Sequence, residues 1–142
     1  MQDNTYTDTD VEEVVNAVGE TGVTIITGNC FKNVKFWEAI EASLRERAKF
    51  LISLKRFEGD SIYWRDLPMW AESLVREQKV LPVVVYTHNV DVIKAITESG
   101  LPLDNLQLVG VILDFETKTP YVDASIPGKL LNRLLERGLE VR

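Results

Sequence analysis

One stretch, Val80-Leu81-Pro82-Val83-Val84-Val85-Tyr86-Thr87-His88-Asn89, constrains the fold of this chain more than any other. It is an almost unbroken apolar run rich in β-branched residues. It stops abruptly at polar side chains, and residues 90–99 then carry apolar residues at helical spacing. A strand with one wet face alternates; a continuously apolar strand must be covered on both faces, as in a parallel sheet flanked by helices. The stretch therefore reads as one βα unit, and in open sheets of such units ligands bind outside the carboxyl ends of the strands.

Three other segments have strand character. Gly22-Val23-Thr24-Ile25-Ile26-Thr27-Gly28 is dense in β-branched residues, and Leu108–Leu113 is apolar throughout. Residues 49–54 (Lys-Phe-Leu-Ile-Ser-Leu) read as a strand or as a continuation of the helix before them. The four segments start near residues 22, 49, 80 and 107, so each interval fits a strand plus a helix. After Asp114 and the turn Glu116-Thr117-Lys118-Thr119, Pro120–Val122 can return as an antiparallel edge strand. The predicted fold is α/β: a three-layer, mostly parallel sheet of four to five strands with helices on both faces.

The helices between these strands carry recognisable ends. Thr9 with Glu12 fits a capping box ahead of Val11, Val14, Val15 and Val18. Asn33 is placed to cap a helix to Arg47, buried through Phe36, Trp37, Ile40 and Leu44, with a Glu41–Arg45 pair at i,i+4. Asp66 precedes a helix with Pro68 in its first turn and Trp70, Leu74 and Val75 facing inward. Asn89 caps the helix over 90–99, which Gly100 stops. Ser125 is read as the cap of a last helix, with Pro127 in its first turn, Leu130, Leu131, Leu134 and Leu135 inward, and Gly138 as its stop.

The 142 residues are expected to form a single α/β domain over 9–142, behind a disordered acidic tail over 1–8. The tail has neither the basic region nor the apolar core of a secretory signal, so a cytoplasmic location is expected. The net charge of −6 comes from Asp3, Asp8, Asp10, Glu12, Glu13 and Glu20, because the remaining 16 acids match 16 bases. A neutral body with an acidic tail argues against nucleic acid. No apolar run approaches the ~18 residues of a membrane span, which argues against a membrane. A single cysteine excludes an internal disulfide, and one His, one Cys and scattered carboxylates make no metal-ligand spacing. No cofactor is implied.

Parallel strands would gather one set of side chains at their carboxyl rim. Thr27, Asn29, Cys30 and Lys32 follow the first strand, Ser53, Lys55 and Arg56 the second, Tyr86, Thr87, His88 and Asn89 the third, and Asp114 and Glu116 the fourth. Thr27, Asn29, Lys32, Thr87, His88 and Asn89 are the expected ligand-binding residues. Cys30, His88 and Asp114 are candidate catalytic residues, since a thiol beside a histidine oriented by a carboxylate is the minimum for thiol nucleophilic catalysis. A small buried cysteine and polar residues spent on helix caps are the plainer account of the same positions.

Leu81–Asn89 and Gly110–Phe115 resemble the final strands of RecA/KaiC-like ATPases. The resemblance implies a degenerate nucleotide-binding domain, because Gly28-Asn29-Cys30-Phe31-Lys32-Asn33 lacks the second glycine and the Lys-Ser/Thr of a Walker A loop. The strand-helix texture, with Leu131–Arg142, also resembles the phospholipase D type of phosphodiesterase. His88 is followed by Asn89 and Val90 rather than x-Lys, so that resemblance implies at most a non-catalytic sensor.

The expected function is a non-catalytic, regulatory module that binds a small-molecule ligand or a protein partner at the carboxyl-end rim. The alternatives are an enzyme using Cys30 and His88, or the degenerate nucleotide site. Tyr63 and Trp64, in the longest loop, are an alternative partner patch, and the leucine-rich last helix is an alternative surface for a homodimer.

Overall fold

The computed structural model describes residues 7–19, 21–28, 34–48, 53–57, 66–87, 89–113 and 120–137. In chain order the elements are α1 (Asp8–Ala17), β1 (Val23–Gly28), α2 (Val34–Ala48), β2 (Ser53–Phe57), α3 (Leu67–Glu77), β3 (Val83–Thr87), α4 (Val90–Thr97), β4 (Leu106–Leu113), β5 (Pro120–Pro127) and α5 (Gly128–Glu136). They form an α/β fold on a mixed five-stranded sheet of order β2-β3-β1-β4-β5. β2–β3, β3–β1 and β1–β4 pair in parallel, and β4–β5 is antiparallel with a bulge opposite Gly110 and Val111.

Strand alternation sorts the core into two clusters. Val23 and Ile25 of β1, Val83 and Val85 of β3, and Leu106 and Leu108 of β4 pack with α3, α4 and α5 through Leu67, Ala71, Leu74, Val92, Ile93, Ile96 and Leu131. The intervening Ile26, Val84, Tyr86, Val109 and Val111 pack with α1 and α2 through Val11, Val14, Val15, Phe36, Trp37, Ile40 and Leu44. All five residues of β3 are buried, as its unbroken apolar run requires.

Several element ends differ from expectation. The capping box is Thr7 with Asp10, not Thr9 with Glu12: the Thr7 hydroxyl accepts from Asp10 N–H and the Asp10 carboxylate from Thr7 N–H. Thr7 and Asp8 thus belong to a helix start and not to a tail. The second strand is Ser53–Phe57, later than the expected 49–54, because an edge strand tolerates the Lys55-Arg56 pair.

β3 begins only after Pro82, and Val80 is exposed. Asp66 occupies the N-cap position of α3 without a side-chain capping bond. Trp70 and Val75 are only partly buried there, and Leu67 and Ala71 join Leu74 as the buried face.

The last two elements shift most. β5 runs on to Pro127, so Ser125 lies in the strand opposite Val109, and the residue before α5 is Pro127. A bulged strand held by β4 outcompetes the helix start that Ser125 advertised. On α5 Leu131 is buried, Leu134 and Leu135 are half-buried, and Leu130 is exposed. The Glu41–Arg45 ion pair, the Asn89 cap and the positive φ of Gly100 (92°) agree with the sequence reading. Residues 58–65, with Tyr63 and Trp64, and Gly138 lie outside the described residues.

Candidate functional site

The order of the strands locates the crevice. From β1 the chain crosses by α2 to β2 on the face that also carries α1. It then returns by α3 to β3, and by α4 past β1 to β4, on the opposite face. Movement in opposite directions on opposite faces gives all three crossovers the same hand, as parallel connections require. β1 and β3 are therefore neighbours whose outgoing helices part to opposite faces. This is a topological switch point, where open α/β sheets form their ligand crevice.

Thr27 and Thr87 stand at this point. The β1–β3 register ends in the pair Ile26↔Tyr86, and one further step sets Thr27 abreast of Thr87. Thr27 is also opposite Gly110 of β4, and Thr87 opposite Phe57 of β2. Alternation sends both threonine side chains to the α3–α4–α5 face. Both are buried, with relative exposures of 1% and 0%.

Two further interactions fix the walls. The Thr87 hydroxyl accepts from Asn89 N–H at 3.0 Å, and the Asn89 side-chain oxygen accepts from Asp91 N–H at 2.9 Å, which pins the start of α4 to the end of β3. On the other face Trp37, in the first turn of α2, lies against Tyr86 with ring centroids 4.3 Å apart and against Phe36 at 5.3 Å. Consecutive residues of β3, Tyr86 and Thr87, thus hold the two helices that flank the switch point.

Asn29, Cys30, Lys32, His88 and Asp114 lie outside the described residues, as does Glu116. Ser53, Lys55 and Arg56 lie within β2 and not after it: Ser53 pairs with Val83, Lys55 with Val85 and Arg56 with Tyr86, and Phe57 is the residue opposite Thr87. Among the described residues no group of His, Cys, Asp and Glu is arranged to hold a metal ion, and no helix is long and apolar enough to cross a membrane.

Two surface grooves escaped the sequence reading. One of about 440 Å³ runs between α3 and α4, lined by Leu67, Pro68, Glu72, Asp91, Lys94 and Glu98 among others. Its charged residues look in sequence like ordinary solvated helix faces, so no signal marks it. The other, about 300 Å³, lies at the amino-end rim beside Gly19, Asn105, Gln107 and Ser125. There Gln107 donates to Thr24 (3.1 Å) and to the Ala17 carbonyl (2.8 Å), while Gly19 N–H donates to Thr24 (3.1 Å). Gln107, Thr24 and Gly19 are thereby engaged in joining the end of α1 to the sheet.

No protein-family model matches the chain, and no curated protein and no solved structure matches it.

Proposed function

We propose that this chain is a non-catalytic binding module, a three-layer and mostly parallel α/β domain that takes a small ligand in the crevice between the carboxyl ends of β1 and β3. The observation that carries the reading is the parting of α2 and α4 to opposite faces from neighbouring strands. Asn29, Lys32 and His88 are the ligand contacts on this reading, since the sequence sets them in the segments that follow those two strands. Thr27, Thr87 and Asn89 serve the site by shaping the sheet end and the start of α4. The module is cytoplasmic on the same reading, and a protein partner would read the ligand state from this rim.

A thermal-shift screen with nucleotides, sugar phosphates and amino acids tests the proposal, because a ligand of the folded state raises the melting temperature. A stabilising compound whose effect is lost in Lys32→Ala or His88→Ala supports it. Stabilisation that survives both substitutions argues against it. Selective response to ATP or GTP with magnesium favours the degenerate nucleotide site. Rapid alkylation of Cys30 at neutral pH, expected of a thiol of depressed pKa, favours the thiol enzyme instead.

A further inference from the structure

β5 closes one side of the sheet, and an edge strand offers its outward amides to any strand that comes alongside. The Val122 amide turns away from β4 and donates to Oε1 of Glu13 on α1, at 2.6 Å. Val122 is paired with Val111, and along β4 every second residue makes the same class of pair. Leu113, Val111, Val109 and Gln107 therefore turn Pro120, Val122, Ser125 and Pro127 outward. Two of these four are prolines, which have no N–H to give. The third amide is held by Glu13, and on the regular parts of the strand Ser125 supplies the remaining outward amide.

The bulge adds to this. It sets Asp123, which is exposed, out of step with β4. Two antiparallel copies of β5 centred on the bulge would bring both Asp123 carboxylates together, and like charges across a strand pair repel. The obvious visitor to this edge is a second copy of the chain, which meets the same strand at every encounter.

We infer that Glu13 is a guard of the β5 edge: its intramolecular contact withholds the Val122 amide and keeps a second copy from adding its own β5 to the sheet. The protein partner of the proposed function is then excluded from this edge, although the inference does not depend on that function.

The test compares sedimentation equilibrium of the full chain with Glu13→Ala, Glu13→Gln and Glu12→Ala. Glu12 is an exposed acid on the same helix, so it controls for the loss of one charge. Glu13→Ala is expected to tighten self-association at least about threefold, while Glu12→Ala and Glu13→Gln, which keeps an acceptor, match the parent chain. Equal self-association of Glu13→Ala and Glu12→Ala would overturn the inference. Hydrogen exchange of the unsubstituted chain gives an independent reading: the Val122 amide is expected to be protected, and exchange at the rate of an open edge amide contradicts the guard.

Discussion

Trp37 and Tyr86 meet with ring centroids 4.3 Å apart and planes inclined by 53°, both almost wholly buried. The tilted geometry suits the quadrupoles of two aromatic rings. Its place matters more than its energy. Trp37 is in the first turn of α2, and Tyr86 is one residue from the end of β3, so the contact braces α2 against the strand beside the switch point. Trp37→Ala should cost about 3–5 kcal/mol through the cavity it leaves. Trp37→Phe should cost distinctly less. Chemical denaturation of both variants measures the difference.

The opposite wall depends on hydrogen bonds. Asn89→Ala removes the acceptor for Asp91 N–H and should cost about 1 kcal/mol, the usual value of an N-cap. Hydrogen exchange should localise the loss to the first turn of α4 and leave α2 unchanged. Equal loosening of both helices would mean that the two walls are not held separately.

Gly22 has φ of 76°, and a Cβ built there falls 2.3 Å from the Asn105 carbonyl oxygen. Gly100 has φ of 92° but open space around it. Gly100→Ala therefore meets only the left-handed backbone penalty, about 1–2 kcal/mol. Gly22→Ala adds a backbone clash, typically another 1–3 kcal/mol or more. Thermal melts should rank Gly22→Ala as the more damaging of the two.

Thr24 is buried and accepts from both Gly19 N–H and Gln107 Nε2. Thr24→Val keeps the shape and removes the acceptor, which should cost about 1–3 kcal/mol because two donors lose their partner in a part-buried place. Thr24→Ser keeps the acceptor and should cost less. A Thr24→Val variant as stable as the parent would show that Gly19 N–H and Gln107 Nε2 find water or another acceptor instead.

How legible the fold was depended on how each strand is buried. β1, β3 and β4 are covered on both faces, and their apolar runs announced them. β2 lies at the edge, where Lys55 and Arg56 are permitted, so the more apolar residues just before it carry the stronger strand signal. Two motifs were ambiguous in kind. Thr7-x-x-Asp10 and Thr9-x-x-Glu12 are the same capping pattern, and only the structure selects the first. Ser125-Ile126-Pro127 fits a helix start as well as a strand end, and pairing with β4 decides for the strand. The switch point itself was not legible, because strand order is set by long-range pairing that no local pattern records. Thr27 and Thr87 were legible as strand-end residues, but their burial depends on the helices packed over them.

The crevice between β1 and β3 is the proposed binding site. Amide chemical-shift mapping on the full chain, titrated with the nucleotide, sugar-phosphate and amino-acid set, tests it most directly. Binding in the crevice is expected to concentrate shifts at residues 26–34 and 86–91, from the ends of β1 and β3 to the starts of α2 and α4. Shifts concentrated instead along the α3–α4 groove, at Glu72, Lys94 and Glu98, or at the amino-end rim around Gly19 and Gln107, would contradict it.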